Sequence, residues 1–384
     1  MGGSMSELSI FSFPTGIRYG VGSRAALAEF REEQSVRRPL LVTDSGLIGT
    51  DAFSLVAEQV RHLWPDGFTE FLDVHPNPLE DDVERGRAAY VNDHCDGVVE
   101  VGGGSALDAA KVIRARVALP NTPLTEIRRE QLPRRLAPFC ALPTTAGTGS
   151  EVGRSSVITV PALGRKIVIG GPPLLADMAI LDPELTVGLP PHLTAATGMD
   201  AMTHAIEAYV CPVFHPMCDA IALEAISIVC AELPKAYTNG ADLDARGLMQ
   251  LAAAMGAVAF QKDLGVAHSL AHLLSSEFGV HHGLANALVL PSTIRFNGET
   301  DATQYTRVAT ALGLVPGGGP AGQVAAFLDN FNRSLGITQR LRDLGVPRDA
   351  LPLLSAKAME DGCHLTNPRR CSQADMLRLY EEVW

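Results

Sequence analysis

Four side chains in the C-terminal half of the chain have the types and spacing of a metal site. Asp200 and His204 stand four residues apart in GMDAMTHAIEAY, so on a helix they would point in the same direction. His268 and His282, in GVAHSLAHLLSSEFGVHHG, could complete a four-ligand set. Each residue alone could be an ordinary helix residue satisfied locally, but buried Asp and His in such apolar runs need partners. Three imidazoles and one carboxylate suit Fe, Zn, Co or Ni better than Mg or Ca. The set therefore predicts one divalent metal.

His272 follows His268 by one helical turn and would lie on the same face. From there it could relay a proton to solvent as a catalytic residue. The alternative is that it supports a neighbouring ligand or simply packs against it.

The elements that must position these residues alternate in type in the first half of the chain. The sequence predicts four buried strands, at 38–44, 68–74, 96–103 and 137–145. Helices are predicted between them, near 51–63, over 79–92 and from Ser105 onward. Further short strands are predicted at 157–160, 166–171 and 178–183. Such alternation predicts a parallel sheet covered on both faces. From Leu193 to Trp384 the chain is Ala- and Leu-rich with helical periodicity. We therefore predict two domains: an α/β dinucleotide-binding domain over 1–190 and a helical metal-binding and substrate domain over 191–384.

Composition narrows the function classes. With 46% hydrophobic and 19% charged residues the 384-residue chain is a packed globule rather than a disordered one. A net charge of −12 argues against a nucleic-acid partner, and no apolar run is long enough to predict a membrane span. MGGSMSELSIFSFPTG lacks the basic start and apolar core of a signal peptide, and the seven scattered cysteines contain no CxxC. These features predict a cytoplasmic protein with reduced thiols.

Two glycine-rich loops follow predicted strands. In VVEVGGGSALDAAK, Ser105 could cap a helix with Asp108 completing a capping box, and Gly103 and Gly104 let the backbone approach a ligand closely. The helix start then offers free N–H groups to a phosphate, although a tight turn also uses glycine. The second loop is PTTAGTGSE, at 143–151. The GxGxxG fingerprint is missing, but two such loops at the carboxyl ends of parallel strands favour a dinucleotide.

Asp44 ends the predicted strand RPLLVTD. Its carboxylate could accept hydrogen bonds from adenosine ribose hydroxyls and repel a 2′-phosphate. The alternative is a cap for a helical segment that begins at Ser45.

Five of these segments together resemble the iron-containing (group III) alcohol dehydrogenase family: GGGSALDAAK, PTTAGTGSE, GMDAMTHAIEAY, AFQKDLGVAHSLAH and HHGLANALVLP. The resemblance runs from GIRYGVGS near the start to NPR at 367–369. It implies an N-terminal Rossmann-like parallel-sheet domain and an all-helical C-terminal domain, which is the dehydroquinate synthase-like architecture. It also implies NAD and one divalent metal, with Fe2+ as the first expectation and Zn2+ as the alternative.

The resemblance assigns roles to individual positions. Asp200, His204, His268 and His282 match the family's metal ligands, with His282 preferred to His281 because a His-Gly pair marks that position. Asp44 matches the position associated with NAD rather than NADP. The positions that match residues lining the dinucleotide are Asn77, Gly103, Gly104, Ser105, Asp108, Thr144, Thr145, Thr148, Val157, Lys166 and Leu185. Leu273 stands where many members have proline and Ser275 begins a run that replaces glycine, so substrate specificity can differ from that of simple alcohol dehydrogenases.

The expected activity is NAD(H)-linked, metal-dependent interconversion of a small alcohol and its aldehyde or ketone by hydride transfer, in a homo-oligomer with a dimer as first expectation. The metal would polarise the substrate oxygen. The alternatives are a same-fold enzyme similar to glycerol dehydrogenase, maleylacetate reductase or dehydroquinate synthase, and a non-catalytic protein that binds NAD or metal.

Overall fold

The computed structural model describes residues 15–315 and 317–384. The strands are β1 (Gly16–Tyr19), β2 (Pro39–Asp44), β3 (Thr69–Val74), β4 (Gly97–Gly102), β5 (Phe139–Pro143), β6 (Ser155–Val160), β7 (Arg165–Gly170) and β8 (Met178–Leu181). The helices of the first half are α1 (Leu27–Gln34), α2 (Asp51–Leu63), α3 (Glu80–Asn92) and α4 (Gly104–Ala118). Those of the second half are α5 (Pro191–Val210), α6 (Pro216–Thr238), α7 (Leu243–Ala259), α8 (Val266–Phe278), α9 (His282–Gly298), α10 (Thr303–Ala311), α11 (Pro320–Ser334), α12 (Leu351–Ala358) and α13 (Gln373–Val383).

The chain forms two compact units. The sheet unit contains the described residues up to Leu189 together with Gly240–Gln250, and the helical unit contains Pro190–Asn239 and the described part of Leu251–Trp384. Residues 240–250 thus group with the sheet unit although they lie beyond residue 190 in the sequence.

The sheet unit is built on six parallel strands in the order β1-β8-β5-β4-β2-β3. All six residues of β4 are buried because helices cover both faces of the sheet, which is why this strand has a nearly continuous apolar sequence. Val98 packs in the apolar cluster on one face, and its neighbour Val99 packs in the cluster on the other. Gly102 lies opposite Pro143 in the register, so the two glycine-rich loops leave adjacent strands at the same edge.

The predicted fold class is confirmed, with three differences in detail. β6 and β7, which are predicted only as short strands with no stated pairing, pair antiparallel with each other as a separate two-stranded sheet. β1 was not predicted, because GIRY is short, mixes polar and apolar residues and pairs with β8 at the edge of the sheet. The predicted capping box is wrong: α4 begins at Gly104 with Gly103 as its N-cap and no side-chain cap.

The helical unit has no strand among its described residues. Every residue of α5 from Thr194 to Val210 is buried, as in a helix surrounded by others. α5 packs against α6 and α9, and α8 packs against α9. The approach of α9 to α5 requires glycine at position 283, since a Cβ there would lie 2.1 Å from the Ala196 carbonyl oxygen. In the described parts of the chain, none of the helices is both long and apolar enough to cross a membrane.

Candidate functional site

The helical unit brings the four predicted metal ligands together. Asp200 and His204 lie on α5, His268 lies on α8, and His282 is the first residue of α9. One ligand atom from each lies within 4.8 Å of the other three. The rings of His204 and His268 stack with centroids 4.6 Å apart, and the His282 Nε2 atom is 3.4 Å from Asp200 Oδ1. His204 and His268, 64 positions apart in the sequence, thus meet because α8 and α5 both pack on α9.

The electrostatics of this cluster suit a cation. Burial alone would raise the pKa of Asp200, but the imidazoles of His204, His282 and His268, with the Asn286 amide, lower it to about 2. Burial lowers the pKa of His282 well below its ordinary value. A carboxylate and neutral imidazoles are the forms in which these side chains bind metals.

The donor atoms also face a common point. The Asn286 Nδ2 atom donates to Asp200 Oδ1 at 2.8 Å and lies 3.3 Å from His268 Nε2 and 3.2 Å from His282 Nε2. Two imidazole nitrogens and a carboxylate oxygen therefore lie around the same Asn286 amide nitrogen. One oxygen and three nitrogens are a donor set that Fe2+ and Zn2+ accept, so the residues fit the metal that the resemblance implies.

Glu207 is part of this site and was missed in the sequence. Its Oε2 accepts a hydrogen bond from His268 Nδ1 at 2.6 Å, and its Oε1 accepts one from the Ala267 backbone N–H at 2.7 Å. Burial lowers the pKa of His268, but the bond to Glu207 outweighs burial and raises it. In the neutral ring, which is the form that binds a metal, a proton held on Nδ1 by Glu207 leaves Nε2 free as the ligand atom. The spacing of Glu207 from Asp200 and His204 places all three on one helical face, a signal that could have found it.

His272 lies beside the ligand set. Its ring stacks on that of His282 with centroids 5.3 Å apart, and its side chain is 30% exposed. Its Nδ1 lies 2.8 Å from Asp361 Oδ2. Asp361 was not identified from the sequence, because it lies in a loop after α12 with no periodic pattern around it.

The two glycine-rich loops of the sheet unit touch each other. A Cβ at Gly104 would lie 2.8 Å from Thr148 Cγ2, and one at Gly103 would lie 3.5 Å from Thr145 Cγ2. The backbone N–H of Thr144 donates to the Gly102 carbonyl oxygen, which links the two loops. Because no side chain caps α4, the N–H groups of its first turn remain available to an anion.

Ser105 and Asp108 tie the glycine turn to its surroundings instead of capping α4. The Ser105 Oγ accepts the Asn77 backbone N–H at 3.3 Å. The carboxylate of Asp108 accepts the Ser150 hydroxyl and the Val157 backbone N–H, each at 2.8 Å. This arrangement differs from the expected capping box because the helix starts one residue earlier than Ser105.

Asn77 and Lys166 form a polar pair near the same turn. Asn77 has a left-handed backbone, with φ of 58°, and its Oδ1 accepts Lys166 Nζ at 2.7 Å. Burial lowers the pKa of Lys166. Leu185, by contrast, is only 2% exposed and lies in one of the two apolar clusters.

Asp44 stands at the end of β2, where its Oδ1 accepts the Gly46 backbone N–H at 2.9 Å. The alternative that it caps a helix is wrong, because α2 begins at Asp51 and is capped by Thr50. Burial raises the pKa of Asp44.

Known proteins resemble both halves of the chain. Residues 14–183 match the family model described as iron-containing alcohol dehydrogenase, and residues 194–384 match the Fe-containing alcohol dehydrogenase family, C-terminal. The chain is 38% identical to 4-hydroxybutyrate dehydrogenase of Cupriavidus necator. The alignment has 389 positions and covers 98% of this chain and 100% of the relative. It is 32% identical to the NAD-dependent methanol dehydrogenase of Bacillus methanolicus, covering 97% and 99%. The solved structure of a 1,3-propanediol oxidoreductase matches with a TM-score of 0.93 at 33% identity, covering 98% and 100%.

Proposed function

Because the chain belongs to the iron-containing alcohol dehydrogenase family and is an oxidoreductase of that type, we propose that it interconverts a small alcohol and its aldehyde or ketone. NAD is the proposed redox cofactor, with one divalent metal in the helical unit. The observation that carries the proposal is the convergence of Asp200, His204, His268 and His282 within 4.8 Å. The named relatives act on 4-hydroxybutyrate and methanol, which supports a small hydroxylated substrate.

The four converging residues would hold the metal, and Fe2+ is the first choice. Zn2+ is the alternative, because it binds such sites more tightly than Fe2+ does. When bound, the metal supplies a Lewis acid for the substrate oxygen and the nicotinamide supplies or accepts the hydride. Glu207 orients His268 through its Nδ1, so that Nε2 is presented as a ligand atom.

His272 is the proposed proton relay. It stacks on His282 and is partly exposed, so it can exchange a proton between the substrate oxygen and solvent.

The sheet unit is the proposed dinucleotide site, and the proposed domains are 1–190 for dinucleotide binding and 191–384 for metal and substrate binding. The glycine turn and the uncapped start of α4 would bind the pyrophosphate, and Asp44 would bind the adenosine ribose and disfavour a 2′-phosphate. The other proposed contacts are Asn77, Gly103, Gly104, Ser105, Asp108, Thr144, Thr145, Thr148, Val157, Lys166 and Leu185.

A cytoplasmic homo-oligomer, with a dimer as first choice, is also proposed. All seven cysteines are free, which suits a reducing compartment. Light scattering on the purified protein measures the oligomeric state.

The test combines metal analysis with an NADH-linked assay over aldehydes from formaldehyde to succinic semialdehyde. We expect about one metal per chain and net NADH consumption. In His282→Ala we expect loss of metal and turnover with NADH binding kept, whereas the matched control His281→Ala should keep all three. Metal and NADH binding without net NADH consumption on any aldehyde would refute the proposal, and would favour a non-catalytic protein or one that uses NAD without net turnover.

A further inference from the structure

The hydrogen bonds around Asp361 point to a role in the chemistry of His272. We propose that Asp361 is a positioning residue that holds the His272 proton on Nδ1, which leaves Nε2 as the atom that accepts the substrate proton. This inference rests on the proposed function, in which His272 relays that proton.

The orientation of the Asp361 carboxylate is set by donors on Oδ1. The Cys363 backbone N–H donates to Oδ1 at 2.9 Å, and a backbone N–H can only donate. The Ser269 hydroxyl also donates to Oδ1, at 2.8 Å. Ser269 Oγ in turn accepts the His364 backbone N–H at 2.9 Å, so its own proton is directed to Asp361. Oδ2 is the oxygen left to face His272.

The same contacts determine the state of the imidazole. Oδ2 lies 2.8 Å from His272 Nδ1, and an ionised carboxylate accepts hydrogen bonds only. Nδ1 must therefore carry a proton, and in the neutral ring Nε2 is then the acceptor. Glu207 contacts His268 through the same ring atom, Nδ1. In His268, however, the Nε2 atom lies among the candidate metal ligands. Two carboxylates thus prepare two imidazoles for different tasks.

A second metal held by His272, Asp361 and Cys363 is the competing interpretation, since their ligand atoms lie within 4.8 Å of one another. Both Asp361 oxygens already accept hydrogen bonds, and burial raises the pKa of the Cys363 thiol well above its ordinary value. A protonated thiol and an engaged carboxylate are poor ligands. The geometry therefore favours the imidazole–carboxylate pair.

The proton and electron balance of the step is simple. In alcohol oxidation the substrate carbon loses a hydride to the oxidised dinucleotide, and its hydroxyl proton passes to His272 Nε2 as the C=O bond forms. His272 becomes doubly protonated, is stabilised by the Asp361 carboxylate, and releases the Nε2 proton to solvent. Reduction of the aldehyde runs the same transfers in reverse.

The decisive variant is Asp361→Asn, which keeps the shape of the side chain. Its oxygen should stay on the Cys363 N–H, so that the amide NH2 faces His272 Nδ1. Two donors cannot share that contact, and the ring must move its proton to Nε2. In the metal-loaded enzyme we expect kcat to fall about 100-fold or more, with metal content, NADH affinity and melting temperature unchanged. The matched control Asp329→Asn, at a surface ion pair with Arg295, should keep the wild-type kcat.

A double-variant cycle separates positioning from mere structural support. If Asp361 acts through His272, Asp361→Asn adds no further loss of kcat in the His272→Ala background. Nitrogen-15 NMR of the zinc-loaded wild type, with His272 assigned from the spectrum of His272→Ala, should show the proton on Nδ1.

Three results would overturn the inference: a kcat within about threefold of wild type in Asp361→Asn, additive losses in the double variant, or loss of a second metal equivalent. Failure of the proposed function looks different, because the wild-type enzyme itself would then show no net turnover.

Discussion

Glu207→Gln tests how much of the metal affinity depends on one hydrogen bond. Glu207 Oε1 accepts the Ala267 backbone N–H, so the oxygen of the glutamine amide should stay at that position. The amide NH2 then faces His268 Nδ1, 2.6 Å away in the wild type, where a metal-binding imidazole carries its own proton. The substitution replaces a charge-assisted hydrogen bond with a contact between two donors.

The size of the effect follows from that contact. A hydrogen bond to a charged group contributes about 1.5–3 kcal/mol, and about 1.4 kcal/mol corresponds to a tenfold change in affinity. We therefore expect the Kd for Zn2+ or Fe2+ to rise roughly 10- to 100-fold, in the range found for partners of metal-bound histidines. A flipped amide leaves the Ala267 N–H unpaired and costs a similar amount.

The assay is competition with a chromophoric chelator, under anaerobic conditions for Fe2+, with the metal-free melting temperature as the control for folding. Asp361→Asn is the matched comparison, because it alters the other imidazole–carboxylate pair and should leave the metal Kd unchanged. A Glu207→Gln protein that folds normally and binds metal within twofold of wild type would refute the reasoning.

Three further substitutions, one of them with a matched control, test other parts of the molecule. Asp44→Gly should raise kcat/KM for NADPH relative to NADH at least about tenfold, because opposed like charges cost several kcal/mol; an unchanged ratio would contradict the ribose assignment. Gly283→Ala places a Cβ 2.1 Å from the Ala196 carbonyl oxygen, so it should destabilise the fold by about 1–3 kcal/mol or more and weaken metal binding. The control is Gly322→Ala, whose Cβ meets no atom within 4 Å and which should melt no lower than wild type. Burial raises the pKa of Glu100 well above its ordinary value of 4.5, so the folded protein holds a proton that the unfolded chain loses. As the pH rises above 4.5, the free energy of unfolding should therefore fall by up to about 1.4 kcal/mol per pH unit. Glu100→Gln should flatten this slope in urea titrations at pH 5 and 7, and an equally steep slope would exclude Glu100 as its source.

Much of the architecture could be predicted from local patterns. Continuous apolar runs such as that of β4 belong to strands buried on both faces, and the helical periodicity after residue 190 reflects helices alone. The edge strand β1 could not be predicted in this way, because a four-residue strand with exposed positions has no distinct pattern. The pairing of β6 with β7 depends on which strands meet, and that is not a local property.

For the candidate site, the residue types and the helix faces on which they lie follow from the sequence alone. Asp200 and His204 share a face because the helical repeat is 3.6 residues, and the same repeat includes Glu207. Which distant residues come into contact depends on how the helices pack. The contact of His272 with Asp361, 89 residues away, depends on where the loop after α12 lies. Position 283, after His282, requires glycine because it faces the carbonyl oxygen of Ala196 on α5. The helical repeat and the residues that form turns are local features of the sequence, whereas the close approach of two helices depends on the packing of the whole core.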